Sequence, residues 1–280
     1  MGIRIVTDSA SDLNIDIEKK YNIEIVPLTV NFDSQSYKDR VEITSEEFFN
    51  KLDESKVIPS TSQVNPKEFE DVFKSIIDEG DEILGIFLSS HLSGTYNAAL
   101  IAKDMLKSNQ ITIIDSQMVS LSEGLLVYKA AVMASQGKSV NDIVEYINQV
   151  KESLKTIIVV DTLDYLRKGG RLTASQAFIG GILNLKPILT MSQGKLVPLN
   201  KVRGRKKTLQ WINNWLKENN VDLTDKTIYI VHARDEKYLE ELETMLIEEF
   251  GVKDIIKSEV GAIVGTHSGP GAIGMCFIPH

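Results

Sequence analysis

Over its first half the chain alternates short β-branched runs with longer amphipathic stretches, and this alternation constrains the fold more than any other feature. Segments 3–7, 23–30, 82–88 and 111–115 have the length and composition of strands. Segments 45–53, 66–78, 94–106, 119–135 and 140–153 carry apolar residues at helical spacing, several of them introduced by Ser, Thr or Asn caps. Strands joined by helical crossovers predict a mostly parallel sheet with flanking helices.

After Lys155 the pattern changes. Segments 157–160, 187–191 and 195–202 read as strands, and Ser192-Gln193-Gly194 between the last two is a hairpin signal. Amphipathic helices are expected at 208–217 and 237–250, with further strands at 227–231 and 272–278. The expectation is an α/β protein of two domains. An N-terminal α/β domain, 1–155, holds the mostly parallel sheet, and a C-terminal α+β sheet domain, 156–280, packs against it across a cleft. A length of 280 residues fits, since single cores usually stop at roughly 100–200.

Composition narrows the function classes. A 42% hydrophobic and 25% charged chain can build an ordinary core. Its net charge of -8 argues against indiscriminate binding to nucleic acid or an anionic membrane. The one cysteine, Cys276, lies in the apolar run 275–278 and reads as a core thiol in a reducing compartment. The chain opens on a strand-like run without a secretory apolar region, and no apolar run approaches the ~20 residues of a spanning helix. A cytoplasmic protein without stable membrane insertion is expected. The histidines show no metal-site spacing, so no metal and no cofactor is expected, and no P-loop or kinase signature occurs.

Five segments could carry chemistry. In 86–99 a strand runs through a polar turn, Ser89-Ser90-His91-Leu92-Ser93-Gly94, into a helix, which aims free N–H groups and a positive dipole end outward. That is an oxyanion site, or simply Ser93 capping a helix whose turn Gly94 relieves. Pro59-Ser60-Thr61-Ser62-Gln63-Val64-Asn65-Pro66 packs hydroxyl donors between prolines and reads as a stiff exposed loop, or as a turn and cap. In 261–271, His267 sits in a Gly-rich turn that would bring backbone close to a ligand or serve structure alone. Asp8 and Asp115 end strands where α/β clefts open and either orient loops or touch a ligand, or serve as turn and cap acceptors. Finally, 201–207 and 167–171 concentrate basic residues, either as solvated surface or as a docking face for an acidic partner or a phosphate.

Taken in order, Thr7-Asp8-Ser9-Ala10-Ser11-Asp12-Leu13, Ser60-Thr61-Ser62-Gln63, 88–96, Leu166-Arg167-Lys168-Gly169-Gly170-Arg171 and 265–271 resemble the DegV family across nearly the whole chain. That family includes the fatty-acid-binding B subunit of bacterial fatty acid kinase. The resemblance implies a bound long-chain fatty acid whose acyl chain is buried in a tunnel of the C-terminal domain. It implies carboxylate-binding roles for Thr61, Ser93 and His267, with contacts from Ser62 and Gly94. It also implies a separate, dihydroxyacetone-kinase-like subunit that uses ATP to convert the carboxylate to an acyl phosphate. Arg171, Arg203 and Arg205 are the candidate docking residues. On this reading the chain is a lipid carrier and not itself an enzyme.

Two other readings compete. In the first, Ser93 is the nucleophile and His267 the base of a lipid ester or thioester hydrolase, although the Gly-x-Ser-x-Gly elbow is missing and the acid is unplaced. In the second, the Ser93 turn and the basic clusters bind a phosphorylated metabolite.

Overall fold

The computed structural model describes residues 2–55, 57–172 and 185–279. Three sheets form. In the first, β1 (Ile3–Asp8), β2 (Glu24–Val26), β6 (Glu82–Phe87) and β7 (Ile111–Asp115) run parallel in the order β2-β1-β6-β7. The chain moves outward from β1 to β2 and then from β6 to β7, so the order reverses between β1 and β6. The crevice beyond the carboxyl ends of those two strands is where an open parallel sheet binds ligands. The second sheet is a small antiparallel one, β4-β3-β5, built from β3 (Thr29–Phe32), β4 (Gln35–Lys38) and β5 (Ser60–Ser62).

The third sheet has six strands in the order β10-β9-β8-β13-β11-β12: β8 (Lys155–Val159), β9 (Leu185–Ser192), β10 (Lys195–Arg203), β11 (Thr227–His232), β12 (Asp254–Glu259) and β13 (Ile273–Phe277). All its pairings are antiparallel except β11 with β12. The β9–β10 hairpin turns at Gln193 and Gly194, both at positive φ, 48° and 76°, as a tight two-residue hairpin requires.

Helices α1 (Ile15–Tyr21), α2 (Ser45–Glu54), α3 (Pro66–Asp78), α4 (Thr95–Leu106), α5 (Leu121–Ser135) and α6 (Val140–Ser153) belong to the first half. The second half adds α7 (Asp164–Lys168), α8 (Arg205–Glu218), α9 (Glu236–Phe250) and α10 (Ala262–Ser268). Capping follows sequence: Thr44 with Glu47, Asn65 with Glu68 and Ser139 with Asp142 form reciprocal capping boxes. The fold class is the expected α/β one, a four-stranded parallel sheet with flanking helices beside a mixed sheet.

Helix α5 joins the halves. It touches β1 and β6 on one side and β11 and β13 on the other, and its residues Leu121 to Val127 are all buried. Such a sandwiched position buries every side of the helix, Ser122 and Glu123 included. Gly124 permits the close approach: a Cβ there would stand 2.7 Å from the Ser11 carbonyl oxygen and 2.9 Å from the Tyr229 ring.

The structure differs from expectation at three places that matter for the site. The run 23–30 is two strands in two sheets. Pro27 has no N–H to donate, and the Leu28 N–H is taken by the Ser9 hydroxyl at 3.1 Å, so the chain leaves β1 and re-pairs as β3. The Ser60–Ser62 segment is a strand, not a loop, with Val30 opposite Thr61. The Gly-rich 261–271 segment contains a helix, α10, because Gly265 lets it settle on Phe48, whose ring would lie 2.7 Å from a Cβ.

Candidate functional site

The Thr7–Asp12 motif organises the site from beneath. Asp8, at the end of β1, accepts the Ala10 and Leu88 N–H groups, both at 2.9 Å, and so ties β1 to the end of β6. Asp12 accepts the Gly261 N–H at 2.8 Å, and Asp39 accepts the Ala262 N–H at 3.1 Å. Two buried carboxyls therefore hold the start of α10, where free N–H groups favour them. Burial pushes Asp8 and Asp12 up to about 7 and Asp39 up to about 6. The result is positional: α10 is fixed at its first turn, and His267 comes from its last.

His267 Nε2 lies 3.0 Å from the Thr61 hydroxyl oxygen. Its Nδ1 is buried without a partner among the described residues and abuts Gly169, where a Cβ would overlap the ring. Burial, and then the nearby Arg171 charge, push the imidazole down to about 4, so it is neutral at pH 7. An orphaned buried N–H costs more than an orphaned acceptor, which places the proton on Nε2. His267 then donates to Thr61, and the Thr61 hydroxyl is left free to donate onward.

From His267 a chain of contacts closes into a ring. The Gly169 carbonyl accepts Arg171 Nη1 at 2.5 Å, and Arg171 Nε donates to the Leu92 carbonyl at 3.0 Å. Ser93 and Gly94 follow Leu92, and a Cβ on Gly94 would overlap the Gln63 side-chain amide. Gln63 leads back through Ser62 to Thr61. Four segments far apart in sequence thus meet around one opening.

Behind the ring lies a cavity of about 400 Å³, within the ~300–1,000 Å³ of small-molecule clefts. Thr61, Ser62, Gln63, Ser93, Gly94, Arg171 and His267 all line it. Most of the remaining lining is apolar and comes from both halves of the chain, with Leu28, Leu88 and Leu121 facing Ile158, Val231 and Gly274. The arrangement sets hydroxyl, imidazole and guanidinium groups beside an apolar interior, which suits an amphiphile with a small anionic head.

All five head-group candidates line this one cavity. The three docking candidates stand in different surroundings. Arg171 is in the cavity wall with two N–H groups committed to backbone carbonyls, Arg205 is ion-paired with Asp235 and lies over the Tyr238 ring, and Arg203 is exposed at the end of β10. No contact joins Arg171 to the other two among the described residues. A Ser93–His267 relay is not formed: Ser93 Oγ is 3.0 Å from Thr95 Oγ1, and His267 faces Thr61. Neither Asp8 nor Asp115 orients the imidazole, since Asp8 holds backbone and Asp115 holds Ser90 and Gln117.

Sequence reasoning missed Gln63 and Gly169 as parts of the ring and Arg171 as a wall of the cavity. The signal for Gln63 and Gly169 was their place inside the motifs already singled out. No local spacing could have revealed their contacts, because each is made across segments.

Comparison with known proteins agrees with this architecture. The family model described as "Uncharacterised protein, DegV family" matches residues 2–280. A DegV domain-containing protein of Caldanaerobacter subterraneus is 44% identical over 275 residues, covering 98% of each chain. The solved structure of a DegV family protein from Thermus thermophilus, described for its fatty acid binding, superposes with a TM-score of 0.93 at 31% identity over 100% of both chains. DegV of Bacillus subtilis, described as a fatty acid binding protein, gives 0.88 at 31% identity, again over 100% of both chains. The chain therefore belongs to the DegV family.

Proposed function

We propose that this protein binds a long-chain fatty acid, with the acyl chain in the apolar cavity and the carboxylate at the ring of Thr61, Ser93 and His267, Ser62 and Gly94 adding contacts. The observation that carries the reading is the cavity itself, lined mostly by apolar residues together with the hydroxyls of Thr61, Ser62 and Ser93, the His267 imidazole and Arg171. The fatty acid binding of the two solved relatives supports it. Burial of about fifteen methylenes at ~0.8 kcal/mol each supplies on the order of 12 kcal/mol before ordering costs, so the tail dominates affinity and the donors fix position.

In the second part of the proposal, the carboxylate is presented to a separate ATP-using kinase subunit. The hydroxyl and imidazole donors are neutral, and Arg171, whose charge reaches His267, has two of its N–H groups on backbone carbonyls, so no bidentate guanidinium pair ties up the carboxylate. One carboxylate oxygen then bonds to the γ-phosphorus of ATP as the bond to the β,γ-bridging oxygen breaks, and ADP leaves with that electron pair. Docking is assigned to Arg171, Arg203 and Arg205, with the exposed Arg203 the most available to a partner.

Organic extraction of the purified protein followed by mass spectrometry tests the first part. The expected result is a bound fatty acid that is absent from the Thr61→Ala, Ser93→Ala double variant, and an empty wild-type protein that takes up no added fatty acid contradicts it. For the second part, incubation with kinase subunit and ATP should give an acyl hydroxamate on trapping with hydroxylamine. Charge reversal at Arg203 should slow that reaction while fatty acid binding is unchanged; equal rates would remove the docking assignment.

A further inference from the structure

A separate cleft between the two halves, of about 520 Å³, shares no wall residue with the acyl cavity. Helix α9 lines it with Glu236, Glu240 and Glu243, β12 adds Glu259, and the N-terminal half adds Asp12 and Asp39. Against these six carboxyls stand two cations, both committed: Arg40 pairs with Glu18 at 2.6 Å and donates to the Leu13 carbonyl, and Lys257 pairs with Glu243 at 3.0 Å. His232, also in the wall, is neutral, because its Nδ1 accepts the Asp235 N–H at 3.1 Å. Glu236, Glu240 and Glu259 have no ion pair among the described residues. A second observation points the same way. Asp39 is only 1% exposed, and while its Oδ1 accepts the Ala262 N–H, its Oδ2 is buried without a hydrogen-bond partner among the described residues. Burial raises Asp39 only to about 6, so at pH 7 it brings a buried charge without an ion pair to the cleft.

We propose that this cleft binds a linear aliphatic polyamine, with its ammonium groups on Asp39, Glu236, Glu240 and Glu259 and its methylenes over Leu239 and Ile15. The carboxylates form no cluster with metal-ligand geometry among the described residues, so a compact divalent ion is not enclosed, whereas a chain of separated charges meets several of them at once. Glu236 and Glu240 lie one helical turn apart, about 6 Å along the axis, roughly the separation of two ammonium groups across three or four methylenes. Like charges at that spacing repel on a helix, and bound cations relieve the repulsion. Between the acids the wall is apolar: Leu239 is buried in the α9 face, and Ile15, 53% exposed, is a large aliphatic surface left in water. An alkyl spacer covers both.

Isothermal titration of the full chain with spermidine at constant ionic strength tests the site. Saturable binding of one spermidine per chain is expected, weakened about fivefold or more in the Glu236→Gln, Glu240→Gln double variant, the scale of two exposed ammonium–carboxylate contacts. The Glu241→Gln, Glu248→Gln double variant removes the same charge from the same helix away from the cleft, and it should bind spermidine as the wild type does. Magnesium ion at matched ionic strength should not displace the polyamine. No saturable binding, equal weakening in the two double variants, or displacement by magnesium would each show a general acidic surface and overturn the site. Because the two cavities have no wall residue in common, any of these results leaves the fatty acid reading standing.

Discussion

The two faces of the six-stranded sheet are built from the same strands and do opposite things. On one face Ile157, Val159, Ile228, Ile230, Met275 and Phe277 pack against Ile212, Leu216, Tyr238 and Leu242 of α8 and α9 into a filled core. On the other, Ile158, Val160, Val231 and Gly274 face the N-terminal half and leave a cavity. Strand β13 shows the device: in Ile273-Gly274-Met275-Cys276-Phe277 the large residues go to the filled core, while Gly274 and Cys276 go to the other face. Because side chains alternate along a strand, one sequence can specify a dense core and a void at once. Gly274 and Cys276 leave room on that face for α5, and the fit there is already close, since a Cβ on Gly274 would stand 3.3 Å from the Leu121 side chain.

Breaking the filled face should hurt stability most. Phe277→Ala removes a fully buried ring from well-packed surroundings and is expected to cost about 3–5 kcal/mol of unfolding free energy in urea titration. On the cavity face, Val231→Trp should keep the fold and exclude about four methylenes of ligand, worth ~3 kcal/mol or about 200-fold in long-chain carboxylate affinity by calorimetry. If Phe277→Ala empties the protein of lipid as readily, or Val231→Trp unfolds it, the division between faces is wrong. Thr61→Ala tests the polar end of the same cavity. It should weaken carboxylate binding by ~1.5–3 kcal/mol without changing the chain-length preference.

A smaller effect distinguishes the acids beneath the site. Glu123 is fully buried with its pKa raised well above 4.5, first by desolvation and then by Asp8. Such carboxyls, with Asp8 and Asp12 at about 7, keep protons that the unfolded chain releases near 3.8 to 4.5, so stability is lost as pH rises through their folded values. His267 has the opposite sign, since its neutral form is held down to about 4 and stability is lost as pH falls below 6.5. Above pH 6.5 the acids act alone. Tm should therefore fall between pH 6.5 and 8, and Glu123→Gln should flatten that fall; an unchanged slope would show that Glu123 does not contribute.

Much of the filled core was legible, because α8, α9 and strands 157–160, 227–231 and 272–278 show ordinary periodicity. The site was less so. Strand β5 has three polar residues between prolines and no alternating apolar signal, and only its pairing with β3 makes it a strand. Helix α10 is hidden by the glycines around it and by Gly265, which serves its contact with Phe48. Thr61 and His267 meet across 206 positions, a distance over which spacing carries no information. Their proposed common role came from the family resemblance, and the ring of contacts around them from the fold. Pro27 was a readable signal that the run 23–30 must break.

On the proposed reading an apolar tail fills the void on the small-residue face while the ring holds the head, and calorimetry on saturated carboxylates of increasing length puts this to the test. Affinity should rise roughly fourfold per methylene, ~0.8 kcal/mol each, with a heat-capacity change that grows more negative until the cavity is full. An affinity independent of chain length would show that the tail does not occupy the cavity.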